Sequence, residues 1–151
     1  MLTAQIESLT EHLEEIKPLL PKHWEELGLH QGKMPLDPNY PLYLARDAAG
    51  EVLFCTLRKE GQLVGYWVNF IAPGLHYRST LTMTMDILWT HPDVRGRSGG
   101  FLLAECVRQE AKRRGVRVWY AGSKNHKTIS WFLESIGMTK VEEYFSLWLG
   151  E

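Results

Sequence analysis

The sequence predicts an α+β fold, a mixed sheet flanked by helices, and three observations lead there. Segments 42–46, 52–58 and 63–71 are rich in Leu, Val, Tyr, Trp and Phe, with Ala49-Gly50 and Glu60-Gly61 between them as hairpin punctuation. A fourth such segment, 81–90, is followed by a change to helical spacing at Phe101, Leu102, Ala104, Cys106 and Val107. Beyond it the order runs helix, strand, helix, strand, which lays helices against a sheet instead of bundling them.

Taken from the start, Ile6, Leu9, Leu13 and Ile16 recur at helical spacing with glutamates opposite, so 3–17 reads as an amphipathic helix. Pro18 and Pro21 break it, and 22–27 reads as a second short helix. Pro35, Pro38 and Pro41 make 32–41 a loop. The helix opening at Phe101 closes with Lys112, Arg113 and Arg114 before Gly115, because cations and then glycine suit a helix C-terminus. Residues 116–120 form a short strand, 125–136 a helix ending at Gly137, and 141–149 a last strand. Repeats and linkers are lacking, and a chain of 151 residues fits one domain, 1–151.

A hydrophobic share of 44% and a charged share of 23% suit a soluble protein with a real core. The two cysteines, Cys55 and Cys106, suggest neither a disulfide framework nor a zinc site, and the histidines lack metal-ligand spacing, so no metal is expected. Glutamates interrupt the N-terminal apolar residues, and no apolar run nears the ~20 residues of a membrane span. A cytoplasmic location without membrane attachment is expected. The net charge of −1 conceals a block at 95–127 with nine Lys and Arg against Glu105 and Glu110. Such a block marks a solvated face, a nucleic-acid patch or a site for a phosphorylated ligand.

The third reading has a specific motif behind it. Leu88-Trp89-Thr90-His91-Pro92-Asp93-Val94-Arg95-Gly96-Arg97-Ser98-Gly99-Gly100 leads from a strand through a Gly- and Arg-rich turn into a helix. The first amides of a helix lack internal acceptors and sit at its positive end, glycines allow close approach, and arginines add charged bonds to an anion. No Lys follows these glycines as an ATP/GTP loop requires, and the spacing and position do not suit a dinucleotide fingerprint.

The segment resembles motif A of the GNAT acyltransferase superfamily, Arg/Gln-x-x-Gly-x-Gly/Ala after a Leu-x-Val-x-Pro strand end. Leu88, Thr90 and Pro92 match the strand end, with Thr in place of Val; Arg95 and Gly100 match the first and last motif positions. Ser98 stands where the first Gly is usual, which would cost about 1 kcal/mol at positive φ, unless a one-residue displacement makes Gly99 the equivalent. Asn125 and Ile136-Gly137-Met138 continue the likeness, and the general look is similar to small phage- and prophage-encoded members.

The resemblance implies a mostly antiparallel sheet whose fourth and fifth strands splay, with acetyl-CoA between them as co-substrate and a direct attack by an amine. It implies cofactor contacts at Leu88, Trp89, Thr90, Arg95, Gly96, Arg97, Ser98, Gly99, Gly100 and Asn125. For the base, Asp86 on the fourth strand comes first and His76 second. The family's usual acid position is occupied here by Leu133, leaving Tyr144, Ser123 or water to protonate the thiolate. The expected acceptor is an amine on a small molecule or protein; a homodimer is one possible assembly, and the sequence does not choose the oligomeric state. A silent acyl-CoA-binding module and a nucleic-acid partner for the basic block are the alternatives, the latter weakened by the lack of aromatic-interleaved basic strands.

Overall fold

A computed structural model describes residues 1–96 and 98–151. Its sheet has five strands in the order β1-β2-β3-β4-β5, formed by Leu2–Ile6, Val52–Lys59, Gln62–Pro73, Leu81–Thr90 and Val118–Tyr120. All neighbours are antiparallel except β4 and β5, which run parallel. Helices α4 (Gly99–Arg113) and α5 (Ser130–Ser135) cover one face, over a core that includes Leu57, Trp67, Met83, Leu103, Val107 and Phe132. Helices α1 (Leu9–Ile16), α2 (Leu20–Leu27) and α3 (Tyr40–Ala48) lie on the other, where Leu9, Ile16, Phe54, Tyr66, Val68 and Trp89 pack together. The predicted α+β class is the observed one. Among the described residues no helix is long and apolar enough to cross a membrane.

Four local expectations are corrected. Residues 2–6 are a strand, not the start of a helix. Leu2, Ala4 and Ile6 face inward at period two, and Ile6 only mimics helical spacing to Leu9. The helix begins after Ser8, whose hydroxyl accepts from the Glu11 amide at 3.2 Å. Residues 42–46 are helical, not a strand. Asn39 caps the Leu42 amide at 3.1 Å, Pro41 sits in the first turn, and Leu-Tyr-Leu-Ala-Arg contains no β-branched residue to resist a helix.

The last strand, expected over 141–149, does not form; residues 138–151 are neither helix nor strand. A strand exists only where its backbone finds a partner, and among the described residues no strand lies along this segment. The expected 125–136 helix also contracts to Ser130–Ser135, after a tight turn bridging Lys124 and Lys127.

Two hairpins order the middle of the sheet. Glu60 and Gly61 both have positive φ, 51° and 83°, the mirror-image turn that joins β2 to β3 without splaying them. In the β3–β4 ladder Asn69 faces Met85 and Val68 faces Ile87, so Asp86 is an extra residue in a β-bulge.

Candidate functional site

β4 and β5 touch only at Thr82–Val118, Met83–Trp119 and Thr84–Tyr120. Beyond that point β4 continues to Thr90 while β5 leaves it, so residues 85–90 present an unpaired edge within the described sheet. This V-shaped opening is the predicted splay. Beneath it, Trp119 Nε1 donates to Asn69 Oδ1 at 3.0 Å. The Asn69 side-chain amide and Trp67 Nε1 are buried donors that make no bond among the described residues.

At the far end of β4, His91 caps the Asp93 amide at 3.1 Å and the chain turns through Pro92–Val94. Gly96 takes the left-handed conformation, φ 76°, which costs a residue with a Cβ about 1 kcal/mol. Ser98 has φ −72° and therefore carries no such strain. Among the described residues of this loop the left-handed position is Gly96, two residues before the motif position that Ser98 fills. Among the described residues the amides of Gly99, Gly100 and Phe101 precede the first helical bond, from Leu102 N to Ser98 O at 2.9 Å, and lie at the N-terminal end of α4. Ser98 makes no side-chain cap there.

Both glycines are also packing positions. A Cβ on Gly99 would lie 2.7 Å from Leu57 Cδ2, and one on Gly100 3.1 Å from the Phe132 ring. Because Leu57 is wholly buried, Gly99→Val is expected to destabilise the fold by about 1–3 kcal/mol through overpacking and to move the α4 N-terminus off the sheet. Urea unfolding reads the first effect and acetyl-CoA titration the second.

Arg95 is not free. Its Nε donates to Thr90 O at 3.0 Å, and its terminal nitrogens reach both oxygens of Glu26 on α2 at 2.8 Å. Trp89 Nε1 donates to the same carboxylate at 3.3 Å, and Lys127 Nζ stands 4.0 Å away. Arg95 chiefly holds Glu26 below the usual carboxylate range, outweighing burial. His23 beside it is pushed down to about 4, mainly by burial. Glu26 thus sits where cations from the β4 and β5 loops converge, a point that single residues in the sequence did not signal.

Asp86 points to the α3 side of the sheet. Its carboxylate accepts a short hydrogen bond from the Tyr43 hydroxyl, and with Asn39, Leu42, Tyr43, Arg46 and Phe70 it lines a cavity of about 150 Å³. Burial pushes its carboxyl up, while the Tyr43 bond and the Arg46 charge pull the other way. Burial, with the Asp86 charge, pushes the Tyr43 phenol well above its ordinary value. Tyr43 was not singled out in the sequence because 42–46 read as a strand.

The remaining candidates are spread out. Leu88 packs into the α4-side core, Trp89 is buried toward α2, and Thr90 pairs with Gly65. His76 is exposed in the β3–β4 loop, its ring against Tyr77. Tyr144 is 89% exposed in the C-terminal segment. Asn125 is exposed at the tip of the turn that places Lys127 near Glu26. Ser123 accepts from the Ile129 amide at 2.8 Å, which braces the approach to α5. Leu133 is buried in the core. Arg97 lies outside the described residues. Among those residues no group of three or more His, Cys, Asp and Glu is placed to hold a metal.

A mixed five-stranded sheet that opens between its two parallel neighbours, beside a glycine-lined helix N-terminus, is the architecture that the motif resemblance implied. The chain belongs to the acetyltransferase (GNAT) family, whose model matches residues 8–138. No curated protein matches it in sequence. Among solved structures it is similar to a ribosomal-protein-alanine N-acetyltransferase from Brucella melitensis biovar Abortus 2308, at TM-score 0.73 and 16% identity over 99% of this chain and 100% of that one. A second is an aminoglycoside acetyltransferase from an uncultured soil metagenomic sample in complex with sisomicin, at 0.75 and 10% over 99% and 96%. A third is a predicted acetyltransferase with acetyl-CoA from Clostridium acetobutylicum, at 0.71 and 12% over 99% and 97%. Identities this low establish the shared fold.

Proposed function

We propose that the chain transfers an acetyl group from acetyl-CoA to a primary amine held on the α3 side of the sheet, with Asp86 as general base. The observation that carries this reading is the bulge, which turns Asp86 into the 150 Å³ cavity beside the open edge of β4. The unpaired edge at 85–90 and the amides of Gly99, Gly100 and Phe101, which find no acceptor among the described residues, fit an extended pantetheine and a pyrophosphate. The buried donors of Asn69 and Trp67 fit a polar guest. The bound co-substrate supplies an activated acetyl thioester.

The residues of the chain supply the rest. The β4 amides at 85–90 fix the thioester carbonyl and stabilise charge on its oxygen. Asp86 takes a proton from the attacking amine nitrogen as its lone pair forms the N–C bond and the C–S bond breaks. Water protonates the departing thiolate, since Tyr144 is exposed and Leu133 has no acidic hydrogen. Tyr43 orients the Asp86 carboxylate. Arg95 meets the pyrophosphate after exchanging its Glu26 partner for a phosphate oxygen. The family resemblance and the similar structures acting on ribosomal protein and aminoglycoside support an amine acceptor of either size.

Calorimetric titration tests the donor half. Acetyl-CoA is expected to bind saturably and in preference to ATP, and Arg95→Ala to weaken it by about tenfold, the effect of one charge-assisted bond. Release of free CoA thiol over a panel of amines tests the acceptor half. Equal weak binding of every polyphosphate, or binding without thiol release, would reject the reading.

A further inference from the structure

Helix α3 turns one face to the Asp86 cavity, because Asn39, Leu42, Tyr43 and Arg46 recur at the three- and four-residue spacing of neighbours on a helix surface. Phe70 on β3 supplies an apolar wall, its ring 5.7 Å from that of Tyr43. The cavity of about 150 Å³ has room for roughly five groups the size of a water molecule, at ~30 Å³ each. Asn39 and Leu42 are exposed, so its rim opens to solvent.

Two opposite charges line this small space. Asp86 accepts from Tyr43 through Oδ2, which leaves Oδ1 without a partner among the described residues. Arg46 is half-buried, its guanidinium carbon over the Phe70 ring at 4.5 Å from the centroid. That contact engages the positive charge and none of the five N–H donors. Arg58, Arg95, Arg113 and Arg114 each hold a carboxylate. The Arg46 side chain makes no hydrogen bond or salt bridge among the described residues. Asn39 adds a donor at the rim, since its Oδ1 caps the Leu42 amide and its side-chain NH2 is left over.

A plain alkylamine would meet Asp86 and leave these donors empty, and a diamine would bring a second cation against Arg46. An amine with an oxyanion a few bonds from its nitrogen satisfies both walls. A guanidinium takes a carboxylate or the edge of a phosphate through two parallel bonds. We propose that the acceptor is a small amine of that kind, with its nitrogen at Asp86, its carboxylate or phosphate at Arg46 and its short carbon chain along Phe70. Arg46 then determines specificity. The inference rests on the reading that the acceptor amine reaches Asp86.

Turnover of the full chain with acetyl-CoA tests it, using glycine, β-alanine, γ-aminobutyrate and O-phosphoethanolamine against propylamine and putrescine. The best oxyanion-bearing amine is expected to exceed the other two in kcat/KM by about 10- to 100-fold, the effect of a charge-assisted pair, and its identity assigns carboxylate or phosphate. Arg46→Gln should raise KM for that amine by a similar factor with kcat little changed, and Arg46→Lys should restore part of the loss. Equal kcat/KM across the panel, or an Arg46→Gln enzyme that keeps the preference, overturns the inference and leaves acetyl transfer standing. Calorimetric titration of the same amines into CoA-saturated protein reads binding where no transfer can occur. Preference for an oxyanion-bearing amine there, lost in Arg46→Gln, supports the site even without thiol release, and only the transfer reading then fails. No such preference in either assay overturns the site.

Discussion

Asp86→Asn is expected to lower kcat by about 100- to 1,000-fold while leaving acetyl-CoA affinity nearly unchanged, because a positioned base contributes about that much and does not touch the nucleotide. The pH profile carries the sign. The base works only when deprotonated, so wild-type kcat/KM must fall as pH drops through the Asp86 pKa, which burial raises above the ordinary aspartate value. The Asn variant should lack this acid limb. Tyr43→Phe removes a bond that favours the carboxylate, so its acid limb should move to higher pH with turnover retained above it. Wild-type turnover in Asp86→Asn, with the acid limb unchanged, would exclude Asp86 as the base.

The second large effect concerns the hold of α1 on the sheet. Arg58 on β2 is 9% exposed and directs all five of its N–H groups to acceptors. Two go to Glu7 at 3.0 and 3.1 Å, two to Glu15 at 3.0 Å, and one to the Gly61 carbonyl at 3.0 Å. Arg58→Met should cost about 3–5 kcal/mol in urea unfolding, since it leaves the enclosed Glu7 carboxylate without its cation. Burial pushes Glu7 up, but its bonds to Arg58 and Thr56 bring it below the usual range. The bonds from Arg58 and His12 take Glu15 down to about 2.

Carboxylates depressed in the fold contribute stability that is complete above their unfolded values, near 4.3, and disappears as pH falls through the folded ones. The gap between wild type and variant should therefore narrow between about pH 4.5 and pH 2. A gap that is already small at pH 7, or that does not change with acid, would show that the cluster contributes little.

The acetyltransferase fold was legible because its signals are local. The Gly- and Arg-rich turn between a strand and a helix survives in one dimension, as do the hairpin at Glu60-Gly61 and the period change after Thr90. Asp86 was identifiable as the carboxylate on the fourth strand, just before the thioester site that the family resemblance implies. What made it distinctive was not. Its bulge arises only from the mismatch with Val68 and Asn69 on β3, and its partner Tyr43 comes from a helix that the sequence disguised as a strand.

Short elements were misread for the same reason in both directions. Leu2, Ala4 and Ile6 become a strand because β2 offers an edge, and 141–149 does not become one because no strand among the described residues lies along it. By itself the sequence determined the α+β class, the order of most elements and the anion-ready turn, all of which depend on residues near one another along the chain. Tertiary structure alone decided the engagement of Arg95 by Glu26, the Asp86–Tyr43 pair and the unpaired edges, because each depends on which distant backbone or charge arrives alongside.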